Sequence, residues 1–258
     1  MNSSAQKLKI LGIIPARYAS TRLPGKPLYT IGSKTIIQHV YERSQDVLQE
    51  VIVATDDQRI YDEVKSFGGK VIMTSTKHKS GTDRVSEALG KTKGTFDVII
   101  NIQGDEPFVS KTLLKDLISA FSDTKTDIAT PIHPYPNGTS FEELSNPNQV
   151  KVVTTSDGYA LYFSRYPIPY FRDLGNDSQR SSIHYYRHIG LYGYRSEVLK
   201  QITKLPISPL EQSEGLEQLR WLQAGYKIKT VLTNDISIGI DTPKDLERAR
   251  EYYLSHNL

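Results

Sequence analysis

The stretch ILGIIPARYASTRLPGKPL, residues 10–28, joins an apolar run to a constrained basic loop. Ile10–Ile14 has the length and apolarity of a buried strand. Past Pro15, three cations (Arg17, Arg22 and Lys26) fall within ten positions, on a backbone stiffened by Pro24 and Pro27 and opened by Gly25. Arginine grips phosphate oxygens in forked fashion, and lysine acts as a point charge. A buried strand that delivers such a loop has the form of a polyanion clamp, and a triphosphate is the obvious polyanion. It is not a P-loop, which would need Gly at position 20 and Ser or Thr at 27, where the chain has Ser20 and Pro27. No two glycines are spaced G-x-G, so the dinucleotide fingerprint is absent as well.

Outward from this stretch, strand-like and helix-like segments alternate. Ile36, Ile37, Val40 and Val47 recur at helical spacing after Ser33 and Thr35 as caps. Val51–Ala54 reads as a strand followed by Asp56 and Asp57. Ile60, Val64 and Phe67 mark a helix that Gly68-Gly69 ends. Val71–Met73 is a strand, a helix opens near Thr82-Asp83, Val98–Ile102 is a strand, and Leu113–Phe121 forms an amphipathic helix. Continuous apolar strands alternating with helices predict an α/β fold with a mainly parallel sheet covered on both faces. Such sheets bind ligands at the carboxyl ends of their strands, so the loops after residues 14, 55, 73 and 102 are expected to face one cleft.

After about residue 130 the pattern changes. Val150–Thr155 and Tyr159–Ser164 flank the turn Ser156-Asp157-Gly158, as in a hairpin. Residues 166–182 read as an irregular loop, Ile189–Tyr194 as a strand, Leu210–Leu222 as one helix, Ile228–Leu232 as a strand and Asp245–Leu254 as a final helix. This middle part is expected to be a smaller antiparallel insertion that supplies a second substrate site.

The chain has 258 residues, 38% of them hydrophobic and 24% charged, which suits a globular protein with a substantial core. With 32 basic and 29 acidic residues the net charge is only +3, too balanced for a dedicated nucleic-acid binder. The sixteen tyrosines are scattered and are assigned to packing, not base stacking. With no cysteine, thiolate catalysis and cysteine metal sites are excluded. The N-terminus MNSSAQKLK has no apolar signal core, and no run approaches the ~18 apolar residues of a membrane span. Residues 1–7 are expected to be a loose tail, and a cytoplasmic location fits.

Two acidic segments complete the site chemistry. Asp105, in NIQGDEP, sits just past a buried strand, where paired carboxylates commonly hold a hard divalent cation. An ordinary turn is the competing reading, since Gly, Asp and Pro are turn residues. Asp241, in GIDTP, follows another strand-like run and precedes a helix, and taken alone it reads as a helix-start residue serving the dipole. Only the fold could bring two residues so far apart together. His184 and His188, at i and i+4, lack the neighbouring Glu of a helical zinc pair and lie in a strand-like run.

IIPARYASTRLPGKPL, VATDD, HKSGTDR, NIQGDEP, ALYFSR, RHIGLYGYR, SPLEQSEGLEQLRWL and GIDTPKDLERAR run from about Ile13 to Arg250. In these motifs the chain resembles the 3-deoxy-manno-octulosonate (Kdo) cytidylyltransferases of the sugar-nucleotidyltransferase superfamily. PAR…RLPGKPL points to the superfamily, and RHIGLYGYR with SPLEQ and GLEQLR narrows it to the family. The resemblance implies one domain of nucleotide-diphospho-sugar transferase type over residues 1–258. Residues 8–130 would be mainly nucleotide-binding, 131–235 sugar-binding and dimerising, and 236–258 a metal-ligand loop with the C-terminal helix.

It further implies a homodimer that transfers CMP from CTP to Kdo with Mg²⁺, releasing pyrophosphate for lipopolysaccharide biosynthesis. Arg17, Arg22 and Lys26 resemble the triphosphate clamp; Ala16, Ser80, Gly81 and Asp83 the cytidine contacts, with Arg17 and Lys26 also in the nucleotide site. Asp105 and Asp241 resemble the Mg²⁺ ligands. Gln103, Arg165, His188, Tyr192, Glu214 and Glu217 resemble the sugar site, with Arg165 and His188 as partners of the sugar carboxylate. The variable stretch 170–184 carries no role. Two rivals are another acidic-sugar cytidylyltransferase (for 8-amino-Kdo or a sialic acid) and a non-catalytic nucleotide-binding protein. Sialic-acid enzymes usually depart from the RLPGKPL spelling, and a binding module has no need to keep both aspartates.

Overall fold

Strand β1 (Ile10–Ala16) forms from the apolar run as expected, with Leu11, Ile13 and Ile14 removed from solvent altogether. Burying each such side chain contributes about 1.5–3 kcal/mol. The computed structural model describes residues 8–20, 22–172, 184–235 and 238–256; the 1–7 tail and the 173–183 part of the irregular segment lie outside them. The chain continues through a two-stranded ribbon, β2 (Thr30–Ile31) with β3 (Lys34–Thr35), into α1 (Ile36–Gln45) and β4 (Glu50–Thr55). Then come α2 (Gln58–Ser66), β5 (Val71–Met73), α3 (Gly81–Lys91), β6 (Val98–Asn101) and α4 (Lys111–Ser119). Each predicted element up to this point is present, with ends moved by a few residues.

The chain divides into two compact units. The first comprises Met1–Lys115, Tyr194–Thr203 and Ser237–Leu258. Its strands run β5-β4-β1-β6, every pairing parallel, with Ile13 opposite Ile52 on one side and Asn101 on the other. Helices α1, α2 and α3 each begin on a side-chain cap. Thr35, Asp57 and Ser80 accept hydrogen bonds from the backbone N–H of Gln38, Arg59 and Asp83, satisfying donors that the first helical turn leaves free.

The second unit comprises Asp116–Gly193 and Lys204–Ile236. It contains β7 (Ile128–Pro134), the short helix α5 (Phe141–Leu144), β8 (Lys151–Thr154), β9 (Ala160–Ser164) and β10 (Tyr186–His188). β8 and β9 are the expected hairpin, β10 pairs antiparallel with β7 and β8, and β12 (Ile228–Leu232) runs parallel to β7. Between β10 and β12 lie β11 (Tyr192–Arg195), α6 (Ser196–Ile202), α7 (Pro209–Glu214) and α8 (Gln218–Gln223); α9 (Pro243–Ser255) closes the chain. The α/β class, with a parallel sheet and a smaller antiparallel part, is as expected.

Two expectations are corrected. Of the strand expected over Ile189–Tyr194 only Tyr192–Tyr194 is strand, in β11; Ile189–Leu191 forms the tight turn between β10 and β11, with Leu191 N bonded to Ile189 O. The single helix expected over Leu210–Leu222 is two helices. Gly215, at φ +63° and ψ +40°, ends α7 in the left-handed conformation, which redirects the chain before α8. A Cβ at Gly215 would meet only the Arg165 guanidinium, at an ordinary 3.8 Å, so substitution there strains the backbone and not the packing. Gly215→Ala should cost about 1–2 kcal/mol of stability in urea unfolding; an unchanged midpoint would refute this account of the break.

Candidate active site

The basic loop is a closed structure. Gly25 N donates to Tyr18 O at 2.9 Å, Lys26 N to Leu23 O at 3.2 Å, and Pro27 opens a 3₁₀ turn over Lys26–Leu28. Leu23 and Pro27 are buried, so the loop is pinned by apolar as well as polar contacts. From outside, the Arg59 guanidinium lies 3.2 Å from the centre of the Tyr18 ring, and Asp57 holds it through hydrogen bonds of 2.9 and 2.7 Å. The VATDD segment therefore caps a helix and steadies the loop through one aspartate.

A cleft of about 380 Å³ opens at the carboxyl ends of the first unit's strands. Its walls are the loop after β1 with Ala16, Arg17, Arg22 and Lys26; the segment His78–Gly81 with Arg84; the segment Gln103–Asp105; and Asp241. Three of the four loops expected there contribute. The fourth, after β4, does not line the cleft, but Asp56 acts through a neighbour by accepting from Arg84 at 2.6 Å. Arg84 is buried, also donates to Thr74 Oγ1 at 2.6 Å, and so presents a fixed charge to the cleft. Sequence reading gave no role to Arg84, Lys79 or His78, although HKSGTDR held the signal: three cationic residue types beside a helix N-terminus. Ser80 and Gly81 line the cleft; Asp83 does not, and its backbone N–H is taken up by the Ser80 cap. Glu87 braces this wall. Burial raises its carboxyl, but hydrogen bonds from Lys91, Ser75 N and His78 together outweigh that and hold it at about 2.

Asp105 and Asp241 meet. Lys26 Nζ lies 2.5 Å from Asp105 Oδ2 and 3.1 Å from Asp241 Oδ1, and Arg22 donates to Asp241 Oδ2 at 2.9 Å. The backbone fixes this convergence. Ile240 N donates to Asp105 O at 3.0 Å, and Gly104 passes so close to β1 that a Cβ there would sit 2.8 Å from Pro15 O. The helix-end reading of Asp241 is corrected: Thr242 is the cap of α9, in a capping box with Asp245, whose carboxylate also accepts from Asp241 N. Two hard carboxylates that already share one cation suit Mg²⁺, which takes one or two carboxylates and completes its shell with water and phosphate.

In the second unit, Arg165 is anchored on three carbonyls, those of Pro147, Glu214 and Gly215, at 2.6–3.3 Å. Glu214 accepts from Ser164 Oγ at 2.7 Å and Arg165 N at 2.8 Å, and so fixes the end of β9. Lys151, whose side chain is fully buried, donates to Asn146 O and Arg165 O. Glu217 pairs with Arg220 at 3.2 Å, while Arg220 also engages Glu211. His188 is enclosed by Phe163 and Tyr192 and bonded to Thr130 Oγ1 at 2.9 Å, and Tyr192 meets Trp221 edge to face. Burial, with the Arg187 charge adding, pushes the His188 imidazole down to about 3. Without a ligand the His188 imidazole is therefore uncharged near neutral pH, and as a carboxylate partner it would offer a hydrogen bond. It stands on a strand, so the helical spacing with His184 does not arise.

The Cytidylyltransferase family profile matches residues 11–228. The chain is 54% identical to 3-deoxy-manno-octulosonate cytidylyltransferase of Bacteroides thetaiotaomicron, covering 95% of this chain and 98% of that protein. It is likewise 54% identical to that of Parabacteroides distasonis, over 94% and 97%. The chain belongs to the 3-deoxy-manno-octulosonate cytidylyltransferase family. A solved member, CMP:2-keto-3-deoxy-manno-octonic acid synthetase complexed with CTP, superposes with a TM-score of 0.88 at 43% identity, over 97% of this chain and all of that one. Family membership makes the chain an enzyme, a nucleotidyltransferase. Among the described residues no helix is long and apolar enough to cross a membrane.

Two outcomes follow from this geometry. Arg59→Ala, which removes the brace outside the cleft, should weaken binding of inorganic pyrophosphate several-fold by calorimetry with little change in melting temperature; undiminished binding would refute the bracing role. His188 sets a pH dependence. An unfolded histidine titrates near 6.5, so between there and about 3 the unfolded chain takes up a proton that the folded chain refuses. Its contribution to stability is complete above that window and is lost as pH falls through it. The urea midpoint should therefore drop from about pH 7 to about pH 5, and H188Q should flatten the slope; identical slopes would refute the neutral imidazole.

Proposed function

We propose that this protein transfers CMP from CTP to 3-deoxy-D-manno-octulosonate, giving CMP-Kdo and pyrophosphate with Mg²⁺ as cofactor, for lipopolysaccharide biosynthesis. The observation that carries this reading is the meeting of Arg22, Lys26, Asp105 and Asp241 at one end of the cleft. A cationic loop and a carboxylate pair are the two halves of a phosphoryl-transfer site, and neither alone distinguishes an enzyme from a binder.

In the proposed reaction, the anomeric hydroxyl of the sugar attacks the α-phosphorus in line, forming the new P–O bond as the bond to pyrophosphate breaks and giving its proton up to water. Arg17, Arg22 and Lys26 hold the β- and γ-phosphates and stabilise the charge that departs with them. Arg84, locked by Asp56 and Thr74, keeps its charge fixed beside the Ser80-Gly81 wall, where the nucleoside is placed. Gln103 lines the cleft of the first unit and is assigned to the sugar. In the second unit, Arg165 supplies charge and His188 a neutral hydrogen bond, each held in one orientation by its own partners. Mg²⁺ held by Asp105 and Asp241 would supply Lewis-acid activation of the phosphate and the sugar hydroxyl. No protein side chain is assigned as general base. Positioning and charge neutralisation then account for the rate, as in phosphoryl transfer generally.

Asp105→Asn keeps the side-chain shape, and among the described residues its side chain pairs with Lys26. That variant should release pyrophosphate from CTP and Kdo at least about a hundredfold more slowly while unfolding like the wild type. Near-normal turnover would sink the carboxylate assignment. The same assay with 8-amino-Kdo and a sialic acid separates the rival sugars, and no release with any of them would favour a binding protein.

A further inference from the structure

Lys26 makes contacts that a phosphate clamp does not require. Its ammonium lies between the two carboxylates, at 2.5 and 3.1 Å, and its side chain is only 12% exposed. Arg22 holds the remaining oxygen of Asp241 at 2.9 Å. The carboxylate pair is thus neutralised by two cations of the chain itself. Mg²⁺ binds carboxylate oxygen at about 2.1 Å, and an ammonium and a divalent ion on the same oxygens would repel strongly. One must leave before the other is seated.

We infer that Lys26 is a placeholder cation, which occupies the position between Asp105 and Asp241 and yields it to a divalent ion only when nucleotide phosphates draw the ammonium away. The inference rests on the function proposed above and adds an order to it: nucleotide before, or together with, metal. The backbone of Lys26 is held by Leu23 O and by Pro27, so the exchange needs only rotation of the four-carbon side chain. The phosphates offer Lys26 more negative charge than the carboxylates do, and the carboxylates are then released for metal. By linkage the coupling is reciprocal: metal must favour the nucleotide-engaged lysine as much as nucleotide favours metal. A ligand-free cleft thereby avoids two adjacent unpaired carboxylates and does not fill with metal in an unproductive state.

The test is a Mn²⁺ titration of the protein without nucleotide, read by the loss of the free-ion electron paramagnetic resonance signal. Wild type should bind Mn²⁺ weakly, and Lys26→Met roughly tenfold or more tightly. Arg17→Met removes a nearby charge that has no ion pair with either carboxylate, and should stay within about threefold of wild type. The double variant Lys26→Met/Asp105→Asn should lose the gain. Equal affinity in wild type and Lys26→Met, or an equal gain in Arg17→Met, would overturn the placeholder role. Water-proton relaxation of wild type with Mn²⁺ and CTP distinguishes the two levels of failure. If it detects no enzyme-bound metal, the metal reading itself falls and the inference with it. If it detects metal while Lys26→Met shows no gain, the placeholder role alone falls.

Discussion

The structure depends on one shared cation. Lys26 bridges Asp105, 79 positions away, and Asp241, 215 positions away, and that meeting joins the cationic loop to both acidic segments of the cleft. The bridge is part-buried, and in it the ammonium and the two carboxylates offset one another's charge. Everything around it serves to hold the three backbones in place. Gly104 crosses β1 at a distance only glycine permits, Ile240 N bonds to Asp105 O, and the capping box of α9 fixes the peptide of Asp241. On the other side Pro27 and the Tyr18–Gly25 bond shape the loop that carries the lysine.

The second unit shows the same economy with different chemistry. Arg165 is gripped from both ends of its backbone, by Lys151 at its carbonyl and by Glu214 at its N–H, and its guanidinium rests on three carbonyls. Lys151 has given up all exposure to make that contact, and burial pulls its ammonium below the usual lysine range. Glu214 bonds to Ser164 and to the backbone of Arg165, and Glu217 pairs with Arg220. His188 sits among aromatic rings and is kept neutral by the same desolvation.

These particulars mark how much could be read in advance. β1, the alternation up to α4, the hairpin of β8 and β9, the cap at Thr35 and the opening of a helix near Thr82-Asp83 were all legible, because strand and helix periodicity and cap chemistry act over a few residues. The break at Gly215 was legible in kind but missed, because the apolar spacing on either side continues across it and outweighs one glycine in a local reading. Arg84 was visible in HKSGTDR, yet nothing local tells a buried, doubly held arginine from a solvated one.

By itself, then, the amino-acid sequence determined the alternating fold, the cationic loop after a buried strand, the acidic segments and, through its motifs, the family. All of these reside in residue type and short-range order. Only the tertiary structure decided that Asp105 and Asp241 converge on Lys26, that Asp56 works through Arg84, and that His188 carries no charge. The reason is physical. The charge a group carries and the partner it takes depend on desolvation and on neighbours brought from distant parts of the chain, and neither is encoded within reach of a single segment.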